Sequence, residues 1–294
     1  MRLLRNRIEI KTPDQVRLMR RAGLVVADVH AALREAVRPG VTTGELDAVC
    51  AATIERAGAR SNFKGYYDYP ATVCISVNEE VVHGIPGKRV LREGDLVTFD
   101  CGACVLDESG TEWHGDAAFT TVVGGRYASD ADRVLDATTR RALWAAIAAL
   151  ARALAGDASG RAGRINAVGD TVEDVVAEAC RDYDVSLGIL EDYVGHGIGT
   201  AMHMEPDVLN YSVRRRGARL RPGMVLAVEP MLTAGEPEVE ELDDGWTVVT
   251  ADGARAAQWE HTVALVPGGV WVLTASDGGV EGLDPYGIEP RPLR

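Results

Sequence analysis

Leu91-Arg92-Glu93-Gly94-Asp95-Leu96-Val97-Thr98-Phe99-Asp100 is answered further along the chain by Leu220-Arg221-Pro222-Gly223-Met224-Val225-Leu226-Ala227-Val228-Glu229. Both run Leu-Arg-x-Gly, then a short apolar stretch, then a carboxylate. A glycine turn feeding a brief apolar run reads as the start of a buried strand. Two helix-patterned segments precede each copy, and more strand follows it. The order helix, helix, strands, given twice, predicts an α+β fold of two pseudo-symmetric halves, about 11–125 and 126–275. These halves would face each other across a pseudo-twofold axis, each presenting a carboxylate from a strand end. The expected organisation is one domain over 1–276 with an irregular tail at 277–294, where prolines and glycines recur.

The helical segments carry their own start signals. Thr12-Pro13-Asp14-Gln15 combines a threonine cap, a proline suited to the first helical turn and a glutamine that closes a capping box. Val16, Met19, Ala22, Val26 and Val29 then recur at helical spacing, and Pro39-Gly40 ends the run. Thr42-Thr43-Gly44-Glu45 repeats the signature and opens a helix to about residue 57. Residues 60–70 read as an aromatic loop, and 73–82 as a strand interrupted at Asn78 that delivers His83 into a turn. A hairpin is expected over 96–106 and 113–123, with its turn at 107–110. In the second half, helices are expected over 129–155 and from a cap near Asp170-Thr171 to 183, then strands from 225 to 274.

Composition narrows the class. The 294 residues are 46% apolar, with mean hydropathy −0.05 and formal charge −13. That charge argues against a nucleic-acid surface, which needs a basic stripe. No apolar run reaches membrane-spanning length, and residues 1–10 lack the apolar core of a signal peptide, so the expected compartment is the cytoplasm. The five cysteines read as free structural thiols. Cys101 and Cys104 form a C-x-x-C, but no second pair accompanies it.

Tyr193-Val194-Gly195-His196-Gly197-Ile198-Gly199-Thr200-Ala201-Met202-His203 places two histidines in a glycine-punctuated stretch without helical period. They are not spaced like a zinc helix, so they are expected to do different jobs. Asp100, Asp116, Glu229 and Glu260 each sit in or at the end of an apolar strand-like run. Buried carboxylates persist when paired, protonated or bound to metal. Four such carboxylates are balanced by two divalent cations. Oxygen ligands with one imidazole, His196, suit cobalt, manganese, iron or zinc. A pair of such ions polarises a carbonyl and activates water.

Lys11 to Gly23, Cys74 to Pro86 (C-I-S-V-N-E-E-V-V-H-G-I-P) and His114-Gly115-Asp116 resemble segments of the type I methionine aminopeptidase family. So do Gly195 to Pro206, Pro222 to Met231, Asp244 to Val248 and Gln258-Trp259-Glu260-His261-Thr262. The resemblance covers about residues 11–274 and implies the pita-bread fold. It implies removal of the initiator methionine from nascent polypeptides when the next residue is small, by attack of a water bridging two metal ions. Its metal ligands fall on Asp100, Asp116, His196, Glu229 and Glu260, with Asp116 and Glu260 bridging. Glu229 is implied as the proton acceptor, His203 as the group stabilising the tetrahedral intermediate, and His83 as a neighbour of the scissile nitrogen. Tyr66, Tyr69, Cys74, Met202 and Trp246 would line the methionine pocket, while His30, His114 and His261 read as structural. The implied protein is a monomer meeting its substrates at the ribosome, without contacting nucleic acid or membrane itself. The short interval from His196 to Glu229 leaves no room for the helical insertion of type II enzymes.

Three departures stand out. The sixteen positions from Asp100 to Asp116 are a wider interval than the family usually shows, so the hairpin is longer. Gly102 replaces a common threonine, which bears on an auxiliary monovalent-cation site. Met202 stands where an aromatic is frequent. The rival readings are an Xaa-Pro-type or broader-specificity pita-bread aminopeptidase, disfavoured because little chain precedes Lys11, and a non-catalytic pita-bread binding protein, disfavoured because all five ligands are present.

Overall fold

A computed structural model describes residues 8–155 and 163–293. The first half contains α1 (Pro13–Ala36), α2 (Thr43–Arg56), β1 (Arg60–Ser61), β2 (Cys74–Val77), β3 (Glu80–Val82), β4 (Leu96–Leu106) and β5 (Glu112–Val122). The second contains α3 (Asp130–Ala155), α4 (Ala167–Tyr183), β6 (Gly188–Ile189), β7 (Gly195–Gly197), β8 (Met204–Val208), β9 (Val225–Val228) and β10 (Met231–Thr233). It continues through β11 (Val239–Glu241), β12 (Val248–Thr250), β13 (Ala256–Gln258), β14 (His261–Val266) and β15 (Gly269–Val272) to the short α5 (Val280–Leu283).

Both capping boxes form as the sequence demands. Thr12 and Thr42 each accept from the backbone N–H three residues on, and Gln15 and Glu45 reach back to the cap. The apolar stripe of α1 (Val16, Met19, Val26, Val29, Leu33) is buried. With α2 it covers β4 and β5, whose Val97, Phe99, Cys101, Ala117 and Phe119 complete one core. A second core joins α3 and α4 to β9, β14 and β15 through Leu143, Ile147, Leu150, Val172, Leu226, Val263 and Val272. Trp259 packs against both, so the two halves share a wall rather than a linker.

All paired strands are antiparallel. One sheet orders β1-β4-β2, with β5 also on β4; the largest runs β15-β14-β9-β7-β8. The two Leu-Arg-x-Gly segments begin the equivalent strands β4 and β9, each on the central path of its sheet. Helices lie to one side of these sheets, and the other side is left to the cleft.

Four expectations are corrected. Asp100 is not at a strand end: β4 runs to Leu106, as the hairpin expected over 96–106 requires, and leaves it mid-strand. Glu260 is not inside a strand but in the break between β13 and β14. Helix α4 starts at Ala167, because Thr171 donates back to the Ala167 carbonyl inside the helix instead of capping it. The tail is not wholly irregular, since Asp277 accepts from the Gly279 and Glu281 N–H groups and seeds α5. In keeping with the reading of free thiols, Cys101 and Cys104, three apart on one strand, face opposite sides.

Candidate active site

The β4–β5 register sets the first two carboxylates. Asp100 lies opposite Ala118 and Asp116 opposite Gly102, so both side chains emerge on one face, diagonally adjacent. Gly102 leaves a gap there, which the Asn62 side chain fills; a Cβ at 102 would meet it at 2.5 Å. Glu229 follows β9 directly, ahead of Pro230, and Asn210 Nδ2 donates to its carbonyl at 3.0 Å. Glu260 is tied into the first half by its own N–H, which donates to the Ala118 carbonyl at 2.9 Å.

His196 occupies the centre of β7 between two glycines that no other residue replaces without strand separation. An added Cβ at Gly195 would lie 2.4 Å from the Ala227 carbonyl oxygen, and one at Gly197 2.2 Å from that of Glu205. This close approach inserts the His196 ring among the carboxylates. Its Nδ1 meets the Gly197 carbonyl at 3.0 Å, turning Nε2 to Glu229 Oε1 at 3.5 Å. Donor atoms of Asp116, His196 and Glu260 all lie within 4.8 Å of one another.

The electrostatics are those of acids crowded together out of water. Burial pushes the Asp100 carboxyl up to about 7. Asp116, Glu229 and Glu260 are raised well above the carboxylate range by burial first and then by repulsion from their acidic neighbours. Burial drives His196 down to about 3, so its ring is neutral and its lone pair free. Asp100 Oδ1, Asp116 Oδ1 and Glu260 Oε1 are buried without a hydrogen-bond partner. Orphaned carboxylate oxygens beside a neutral imidazole are what divalent cations require, so the donor set fits the metals expected from sequence.

All twelve residues singled out in the sequence line one cavity of about 410 Å³. His203 stands at its mouth, its ring centroid 4.4 Å from that of His196 and its Nδ1 2.9 Å from the Tyr66 hydroxyl. His83 lies on another wall, edge-on to Tyr193 and Trp246, with burial holding it down to about 4. It adopts a left-handed backbone (φ 60°), a conformation that non-glycine residues enter at a cost. Tyr66, Tyr69, Cys74, Met202 and Trp246 cluster with Phe63. Tyr69 donates to the Gly84 carbonyl at 2.9 Å and packs edge-on to Trp246. Burial raises the Cys74 thiol well above its usual range, so it presents uncharged sulfur.

Sequence reasoning missed Phe63, Tyr193 and Gln258. Gln258 Nε2 reaches Glu229 Oε2 at 3.4 Å, and its position two before Glu260 was the available signal. His30 and His261 lie away from the cleft, bonded to the Ala117 carbonyl and to Thr274.

Residues 17–267 match metallopeptidase family M24. The chain is 45% identical over 265 residues to methionine aminopeptidase 1 of Mycobacterium tuberculosis, covering 90% of this chain and 94% of that protein. It is 39% identical to methionine aminopeptidase 1 of Bacillus subtilis, covering 90% and 98%. The crystal structure of methionine aminopeptidase from Thermotoga maritima superposes with a TM-score of 0.81 at 35% identity, covering 92% of this chain and all of that one. Prolidase from Pyrococcus furiosus (TM-score 0.65, 20% identity, 91% of this chain and 65% of that one) shares the fold, which is the pita-bread fold. The chain belongs to metallopeptidase family M24.

Proposed function

We propose that this chain is a methionyl aminopeptidase that removes the initiator methionine from nascent polypeptides, with Asp100, Asp116, His196, Glu229 and Glu260 holding two divalent cations. The observation that carries this reading is the convergence of partnerless buried carboxylate oxygens from both halves beneath an aromatic and sulfur-lined cavity. When bound, such ions polarise the scissile carbonyl and make water nucleophilic at neutral pH. Cobalt, manganese, iron and zinc all suit the donor set.

The chain's own groups do the rest. Glu229, held by Gln258, accepts the proton released as water adds to the carbonyl carbon. With Tyr66 on its Nδ1, His203 turns Nε2–H into the cleft to stabilise the tetrahedral oxyanion. His83, uncharged at neutral pH, faces the scissile nitrogen and the leaving amine. Phe63, Tyr66, Tyr69, Cys74, Met202 and Trp246 receive the methionine side chain, whose flexible thioether packs well against rings and sulfur. All five carboxylate and imidazole donors come from one polypeptide, which supports action as a monomer. The setting is the cytoplasm, where chains emerge from the ribosome.

Cleavage of Met-Ala-Ser, Met-Pro and Ala-Pro peptides with each of the four metals tests this reading. Release of methionine from Met-Ala-Ser with no cleavage of Ala-Pro is expected. Preferential cleavage of Ala-Pro would replace it with an Xaa-Pro specificity.

A further inference from the structure

The β4–β5 hairpin carries a second group of metal-ligand side chains beyond the cleft. Cys104 and His114 oppose each other directly across β4 and β5, and Glu112 stands two residues further along the same face. Alternate residues of a strand advance about 7 Å, so His114 lies one step outward from Asp116 and Glu112 two. The Cys104 sulfur, a His114 ring nitrogen and a Glu112 carboxylate oxygen all lie within 4.8 Å of one another. His114 Nε2 is 3.9 Å from Glu112 Oε2.

The supporting contacts aim this group as a ligand set. Asn62, filling the gap at Gly102, donates through Nδ2 to the Gly115 carbonyl at 3.1 Å, which fixes its amide. Its Oδ1 then takes the His114 Nδ1 proton at 2.8 Å, leaving the Nε2 lone pair facing Glu112 and Cys104. A histidine ligand held through its second nitrogen in this way is the usual support for a bound metal. Arg60 engages Glu112 Oε1 at 3.2 Å and leaves Oε2 toward the histidine. Cys104 is 3% exposed and its sulfur has no hydrogen-bond partner among the described residues. By contrast the Cys101 sulfur lies 3.7 Å from that of Cys50 in the helix-side core. The exposed edge of Glu112 gives an ion a way in.

We propose that Cys104, Glu112 and His114 bind one borderline-soft divalent cation of the zinc or cobalt class, separate from the cleft carboxylates. A thiolate and a carboxylate balance the two positive charges, the imidazole is the third ligand, and the solvent side supplies a fourth position, as in open zinc sites. Such an ion would clip the two strands together just short of the hairpin tip.

Cobalt(II) titrated into the metal-free full-length chain tests this, because the five cleft donors include no thiol. A near-ultraviolet thiolate-to-cobalt charge-transfer band is expected, displaced by zinc, absent in Cys104→Ser and retained in Cys74→Ala. Asn62→Ala should weaken cobalt affinity at this band by about 10–100-fold, while circular dichroism confirms that each variant is folded. No band at saturating cobalt, or a band that survives Cys104→Ser, overturns the proposal.

Discussion

Stripping divalent cations from this protein and raising the pH should destabilise it, against the trend expected of ordinary surface acids. Asp100 is displaced from its ordinary 3.8 to about 7 by burial. The folded chain therefore holds that proton more tightly than the unfolded chain does. Its contribution is complete below about pH 4 and is lost as pH rises to 7, costing on the order of 4 kcal/mol. Asp116, Glu229 and Glu260 are shifted in the same direction and add to the loss. Set against a total stability of about 5–15 kcal/mol, this is a large fraction. Urea unfolding in chelator, followed by tryptophan fluorescence at about pH 5 and about pH 7.5, measures it. Wild type should lose several kcal/mol between the two, Asp100→Asn clearly less, and saturating manganese should abolish the loss. Unchanged or rising stability of the chelated wild type across that interval would refute the reasoning, since it would mean that these carboxylates ionise in place without penalty.

Other perturbations follow from particular contacts. Thr262 Oγ1 accepts from the Asp116 N–H and donates to its carbonyl, both fully buried, so Thr262→Val should cost about 1–3 kcal/mol in denaturant midpoint and weaken metal binding. Gly195→Ala drives a methyl toward the Ala227 carbonyl and should destabilise by about 1–3 kcal/mol or more, displacing His196, as thermal melts and metal titration will show. Glu229→Ala should abolish turnover, whereas His203→Ala should cut kcat by about 10²–10³-fold with metal still bound, a split that steady-state kinetics and calorimetry separate.

Much of the architecture was legible because local signals and the global fold agree. The capping boxes at Thr12 and Thr42, the strand starts after Gly94 and Gly223, and the acids in apolar runs are all short-range patterns with one physical reading. The rest depends on what chain neighbours cannot report. Thr171 looks like a cap until its hydroxyl finds the Ala167 carbonyl one turn back. Glu260 looks like a strand residue, yet the chain breaks between β13 and β14 and its N–H goes to the Ala118 carbonyl. Tyr193 joins the site only through tertiary contact with His83. Cys104 reads as half of a C-x-x-C, yet its ligand-type neighbours lie across the hairpin in β5.

Manganese(II) binding to the metal-free chain, read by electron paramagnetic resonance, addresses the central claim, because this hard ion favours the oxygen-rich cleft over a thiolate site. Two exchange-coupled ions per chain are predicted, with the coupled signal lost in Glu260→Ala. A single uncoupled ion, or a coupled signal that persists in Glu260→Ala, would contradict the account.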